Sequence, residues 1–423
     1  MSWNILDDIG LLLLITAAFA YFNHYFLRLP RNTGLLIVAF GVSLVIRLLD
    51  YLIPTAHLSA SVGDFLARAD LSSILLDALL APLLFAAALE MDAQELWRHK
   101  WTVLALATVG VVLSTLLMAA GASLIFDMIG IPVTFAYCLV FGALISPTDP
   151  VAVADALRRA GVPRGLQAII AGESMFNDGI GIVLYTLFLH LATAPHATFA
   201  LGPFVLEFLR VAGGGVLLGL VTGGVAFVAT HGIAEHNVEV MISLALAIGT
   251  YGLAQTLGVS GPVAVVTAGI IMGSIGVRYA VSGTALDYLE KFWSLTDQLL
   301  NALLFLLIGF VFAALRLRLS YLVAAFAAIP LAIAVRAICV ALPALPLNFA
   351  APRKGRATAI LTWSGLRGGI SVALALSLPA SGPKDALVTV CYGIVIFTMI
   401  VQGLTLEPVA ARFYGRDQAP AGG

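Results

Sequence analysis

Residues 141–161 read FGALISPTDPVAVADALRRAG. Apolar residues lead up to Pro147 and resume after Pro150, and the two prolines bracket Thr148 and Asp149. Each proline removes a backbone donor and clashes with the preceding turn. Two of them three residues apart predict a helix that unwinds near 146–150. A second weak point lies in residues 359–379, AILTWSGLRGGISVALALSLP, where Gly365, Gly368 and Gly369 crowd one turn near 363–369.

Composition says what medium these segments occupy. The chain has 423 residues, of which 61% are apolar and 11% charged, with a mean hydropathy of +1.03. Soluble domains average about half apolar and about a quarter charged. Apolar runs of about 20 residues recur along the whole length, each enough to cross roughly 30 Å of hydrocarbon. The expected fold class is therefore an all-α polytopic membrane protein. The net charge of −1, with no basic stripe, gives no reason to expect a nucleic-acid partner; the expected partner surface is the lipid bilayer. The three cysteines, Cys138, Cys339 and Cys391, sit in apolar runs and form no metal or disulfide pattern. His231 and His236 are close together on a polar connection and read as solvated loop residues ahead of a metal or pH-sensing pair. The N-terminus lacks a basic region before its apolar run, as an uncleaved first span would.

Hydropathy punctuated by polar breaks gives thirteen spans, at about 8–28, 33–53, 72–90, 101–122, 131–157, 165–192, 201–229, 237–257, 260–276, 292–315, 320–345, 356–379 and 385–410. The interrupted segments are spans five and twelve. They are seven apart, an odd offset, so they run in opposite directions, as in inverted repeats. Interrupted spans in corresponding inverted positions point to a secondary-transporter site near the bilayer midplane. With the N-terminus outside, the cytoplasmic connections hold Arg28, Arg31, Arg98, Lys100, Arg158, Arg159, Arg164, Arg278, Lys291, Arg353, Lys354, Arg356, Arg412 and Arg416. The opposite side holds only Arg68, Arg316, Arg318 and Lys384. That asymmetry favours an N-out, C-in orientation. One transmembrane domain is expected, without a soluble regulatory domain. The glycines of residues 211–224, VAGGGVLLGLVTGG, are expected to let helices approach closely.

Span six holds the polar sequence AGESMFNDGIG at 171–181. Asp178 falls at its midpoint, and Glu173, Ser174 and Asn177 share its side of the helix at four-residue spacing. Ionisable groups at that depth are expensive and face a partner or a water-filled cavity. A lone acid there would read as a satisfied interhelical hydrogen bond; four polar groups opposite a broken helix read as a site. Asp149, followed by Pro150, also fits a cap of the second half of span five. The donors at hand are two carboxylates, a hydroxyl and a backbone carbonyl released by the unwinding. Hard oxygen donors suit Na⁺ or Li⁺, and the absence of histidine or cysteine at this depth argues against zinc or iron. Arg336, in mid-span eleven, is expected to pair with Glu173, since a buried charge needs a partner. Arg367 is expected to neutralise the carbonyl ends of the first half-helix of span twelve. Three acids, Asp149, Glu173 and Asp178, against two arginines leave a core of net −1. One proton or one Na⁺ neutralises it, and an empty charged core crosses low dielectric poorly. Proton and cation are then alternative occupants of one carboxylate, which is antiport.

SPTDPVAV at 146–153, GESMFNDG at 172–179, LFLLIGF at 304–310 and TWSGLRGG at 362–369 resemble the monovalent cation:proton antiporters of the NhaP and NHE branch. The resemblance runs from PLLF at 82–85 through span thirteen. It implies a homodimeric thirteen-helix Na⁺ (or Li⁺)/H⁺ exchanger with no cofactor beyond the transported ions, and the short connections suggest a prokaryotic plasma membrane. A core bundle, about 101–192 and 320–410, would move against a scaffold of about 1–90 and 201–315. By motif, Asp178 looks like the main binding carboxylate, with Asp149, Ser174 and the Thr148 carbonyl as further ligands. Glu173 and Asn177 look like supports, and Arg336 is similar to the family's ion-pair arginine. Asn177 before Asp178 resembles the electroneutral one-for-one branch. Many relatives carry a glutamate just after PLLF, where this chain has Ala86; Asp77, two turns earlier, is a candidate substitute.

Competing readings are K⁺/H⁺ exchange, which the same oxygen donors permit, a cation channel, and an intramembrane enzyme. The last is disfavoured because a proline break with arginine counter-charges is not a paired-aspartate catalytic design.

Overall fold

A computed structural model describes residues 5–68, 70–194, 200–231, 235–276, 283–344, 354–380 and 382–414, which are helical with no strand among them. Among the described residues ten helices are long and apolar enough to cross a membrane. These are α1 (Ile9–Leu27), α2 (Arg31–Leu52), α4 (Leu71–Leu89), α6 (Lys100–Ile129), α9 (Arg164–Thr193), α10 (Leu201–Thr230), α11 (His236–Leu257), α13 (Asp287–Ala314), α14 (Leu319–Leu342) and α17 (Lys384–Tyr414). α12 (Gly261–Ser274) is a shorter apolar helix at the ninth expected span. The last two crossings are the interrupted ones, each built from two half-helices: α7 (Phe135–Ile145) with α8 (Val151–Arg159), and α15 (Lys354–Trp363) with α16 (Gly369–Leu376). Two short helices, α3 (Leu58–Arg68) and α5 (Ala93–Arg98), lie between spans. The thirteen expected spans thus have thirteen counterparts.

Parity of the crossings is visible in contacts between helix ends. Arg159 Nε lies 2.8 Å from Glu407 Oε2, and Arg356 Nη1 donates to the Phe413 carbonyl at 3.0 Å. Those contacts join the ends of spans five, twelve and thirteen that were expected on one face. Arg31 bonds Gln298 at that same end of α2 and α13. Arg316, expected on the other face, meets Asp385 at 3.4 Å. Arg278, Arg353 and Arg416 lie outside the described residues.

Packing gives two sets of contacts, joined where α9 meets α10 and α12 and where α16 meets α4. α13 lies against α2, α3 and α4, while α10, α11 and α12 pack on one another, and α11 and α12 also pack on α4. The other group contains α6, α7 and α9, with α14 against α6 and α17, and α16 against α17. The glycine-rich stretch of α10 does pack closely. A Cβ on Gly219 would collide with the Ala264 carbonyl oxygen of α12, and Gly215 and Gly223, one turn either side, face Ser260 and Ala268. Small residues at four-residue spacing permit that backbone approach.

The interruptions meet. Between α7 and α8, and between α15 and α16, the chain leaves helical geometry, and Asp149 N donates to the Leu366 carbonyl at 2.8 Å across the two breaks. This crossing places the polar residues of both spans at one point inside the bundle. A wide π turn in α17, Thr398–Gln402, lies beside it, and Thr398 Oγ1 accepts from Arg367 N at 3.1 Å.

Candidate functional site

The centre of α9 faces the α7–α8 break. Asn177 holds Thr148 from two directions: its Nδ2 donates to Thr148 Oγ1 at 2.8 Å, and its Oδ1 accepts from Thr148 N at 3.3 Å. Thr148 Oγ1 also lies 2.8 Å from Ser174 Oγ. The backbone donor freed by unwinding is therefore satisfied by a side chain of the neighbouring helix, as a buried donor must be. Asp149 takes the capping position that its sequence suggests, Oδ1 accepting from Val151 N at 2.9 Å.

Asp178 is 4% exposed, and among the described residues its carboxylate receives no hydrogen bond. It borders a small cavity of about 50 Å³ together with Thr148, Asp149, Asn301, Gly368 and Ser371. A cavity needs about 10–15 Å³ of such space to hold one water, so an ion with a few waters fits. The charged side chains lining it are Asp149 and Asp178. Asp149 comes close because residue 368 is glycine: a Cβ there would stand 2.7 Å from Asp149 Oδ2. A wider cleft of about 460 Å³, lined by Glu90, Glu95, Asp155, Arg158 and Asp297, shares Ala87, Pro150 and Val151 with the cavity. It opens at the end of the bundle where α8 finishes and α9 begins.

The two arginines do different things. Arg336 pairs with Glu173 in a two-pronged contact, Nη1 on Oε1 and Nη2 on Oε2, the latter at 2.9 Å, with both residues buried. Its Nε donates to the Leu361 carbonyl at 3.2 Å, so the guanidinium ties α9, α14 and α15. Arg367, 2% exposed, donates through Nη1 to the carbonyls of Ser146 and Pro147, the latter at 3.0 Å. This corrects the sequence expectation. Arg367 neutralises the carbonyl end of α7 in span five, not of its own span, because the two breaks cross and put that end nearer.

Ala86 is buried among apolar side chains and is not one of the cavity residues. Asp77 does not replace the missing glutamate: it is exposed, accepts from Gln255 Nε2 at 3.1 Å, and lies away from the cavity. His231 and His236 do not meet as a pair; His236 stacks on Tyr288 at 4.3 Å and His231 lies near Phe227. Among the described residues no three His, Cys, Asp or Glu side chains are grouped to hold a metal. The three cysteines are free and buried. Sequence reasoning missed Asn301, Asp297 and Ser371. Asn301 Nδ2 donates to both the carbonyl and Oδ1 of Asp297, each at 2.9 Å, and Ser371 Oγ is buried with no partner among the described residues.

The chain is similar to proteins of known family. The family described as "Sodium/hydrogen exchanger, transmembrane" matches residues 12–412. The chain is 39% identical to the Na⁺/H⁺ antiporter NhaP of Pseudomonas aeruginosa, over 97% of each chain. It is 32% identical to the Na⁺/H⁺ antiporter NhaH of Halobacillus dabanensis, over 82% of this chain and 84% of that one. The solved structure of the sodium proton antiporter MjNhaP1 from Methanocaldococcus jannaschii superposes with a TM-score of 0.72 at 21% identity, covering 97% of this chain and 98% of that one. Thirteen crossings with two crossed breaks, and a match running through nearly all of them, lead to one conclusion: the chain belongs to the sodium/hydrogen exchanger family.

Proposed function

We propose that this protein exchanges Na⁺, or Li⁺, for H⁺ across a prokaryotic plasma membrane by alternating access, one for one and without net charge movement. Its relatives are named Na⁺/H⁺ antiporters. The observation that carries the reading is the Asp178 carboxylate: buried in mid-span, free of hydrogen bonds and facing a cavity that also holds Asp149. Two carboxylates in low dielectric cannot both stand charged and empty at small cost, so one of them takes a proton or a cation.

In the cycle we infer, Asp178 is the carrier carboxylate, and Asp149, Ser174 and the Thr148 carbonyl complete the oxygen shell around the cation. Asn177 fixes Thr148, while Glu173, Arg336 and Arg367 keep the broken helices in register. The α6–α9 and α14–α17 group is the moving core, and α1–α4 with α10–α13 the scaffold, assembled as a homodimer as the family resemblance implies. The excess of Lys and Arg on the connections at the cleft end supports an N-out, C-in orientation with the cleft open to the cytoplasm.

Proteoliposomes with an imposed pH gradient and an internal pH dye test this. Na⁺ or Li⁺ should collapse the gradient irrespective of a valinomycin voltage clamp, and Asp178→Asn should abolish the response. Collapse by K⁺ alone would overturn the substrate, and coupled exchange surviving in Asp178→Asn would overturn the carrier.

A further inference from the structure

We infer that Asn301, on scaffold helix α13, is a further cation-facing oxygen donor of this site, with Asp297 as the residue that aims it. This rests on the cation reading above and adds a contact from the other side of the moving boundary.

Asn301 is 3% exposed, yet it borders the same cavity as Asp149 and Asp178. Its amide has a fixed sense. The two N–H groups of Nδ2 are taken by the carbonyl and the carboxylate of Asp297, both acceptors. A side-chain amide has two donors on one end and an acceptor on the other, so Oδ1 is turned away from Asp297. Among the described residues no donor reaches that oxygen. With no protein donor on it, that oxygen is available to a cation held between Asp178 and α13. Ser371 Oγ, also bordering the cavity and also without a partner, marks the same unfilled demand. Span three, the other scaffold element nearby, offers no oxygen side chain there: Ala86 is apolar and Asp77 bonds Gln255. Asp178, Asp149, Ser174 and Thr148 all belong to the group read as mobile. Asn301 does not, so its contact forms in the state open to the cleft and is lost as the core moves.

The test is Na⁺- and Li⁺-driven proton movement in proteoliposomes for the native chain, Asn301→Leu, Asn301→Ser and Asp297→Asn. Thermal protection of detergent-purified protein by NaCl reads binding without turnover. Asn301→Leu should raise the half-saturating Na⁺ concentration about tenfold, the equivalent of one ligand contact, with the maximal rate within twofold. Asn301→Ser should fall between, and Asp297→Asn should shift half-saturation in the same direction. If Asn301→Leu does not insert, the serine variant is read alone. Native half-saturation in either Asn301 variant, whatever the maximal rate, overturns the inference. A native chain with no Na⁺-coupled proton movement overturns the exchange reading instead.

Discussion

Glu173 and Arg336 offer the sharpest check on how the core is held together. Both are buried, and the pair is two-pronged, with Arg336 additionally bonded to Leu361. Neither borders the cavity or the cleft. Removing one partner strands a desolvated charge, at about 3–5 kcal/mol, whereas replacing both by apolar groups of similar volume is often neutral or better. Glu173→Leu and Arg336→Met should therefore each lower the apparent melting temperature sharply, and the double variant should recover most of the loss. A single-variant cost of about 3 kcal/mol is a more than 100-fold change in the folded-to-unfolded ratio, which thermal unfolding at fixed lipid and detergent reads easily. Because the pair lies off the ion path, the double variant should keep Na⁺-driven proton movement with native half-saturation. A double variant that loses as much stability as the two singles together would refute the brace, since contacting residues must show coupling. A double variant that is stable but has lost Na⁺ binding would place the pair in the ion path.

Two further changes probe the cavity and its approach. Gly368→Ala sets a methyl 2.7 Å from Asp149 Oδ2, and Val151 N holds the other carboxylate oxygen, so Asp149 cannot swing clear; about a tenfold rise in half-saturating Na⁺ with near-native melting is expected, the size of a misplaced polar contact. Glu90, exposed at the cleft mouth, has its carboxyl raised from its ordinary value chiefly by desolvation against the protein surface, with Arg158 opposing. Its neutral form therefore persists to higher pH than in an ordinary glutamate, and its charge attracts cations only above that range. Glu90→Gln should match the native chain at acidic pH and need about twice the Na⁺ at alkaline pH and low salt, an effect screened at high ionic strength; identical curves at all pH values would remove Glu90 from cation recruitment.

Much of the architecture was legible because the bilayer makes sequence rules strict. Length and hydropathy mark each crossing, and Pro147 with Pro150 cannot sit in an unbroken helix. The polar face of Glu173, Ser174, Asn177 and Asp178 followed from helical periodicity alone, as did the demand of Glu173 for a buried partner. What stayed illegible depended on which elements cross. Arg367 lies in span twelve, but its acceptors are in span five, and only the crossing of the two breaks decides that. Asp297 and Asn301 carry a visible signal, two polar residues four apart on an apolar helix. Nothing in SLTDQLLNALLF says which neighbour that face meets. Asp77 failed for the same reason: two turns along α4 turns its side chain toward α11.

The crossing also changes how the charges should be read. The sequence placed three acids and two arginines in one pool of net −1. In the structure Arg336 is occupied by Glu173, and Arg367 by the carbonyl end of α7. Neither guanidinium faces the cavity, whose charged side chains are Asp149 and Asp178. Arg367 has a prior task there, because the end of a half-helix pointing into the bundle carries partial negative charge and would otherwise add to that of the two carboxylates. With both cations committed to holding the broken helices, no fixed positive group remains in the cavity to compensate Asp149 and Asp178. The compensating charge must arrive from solution, as a proton or as a metal cation. Under the proposed exchange, that requirement would make the two ions competitors for one site.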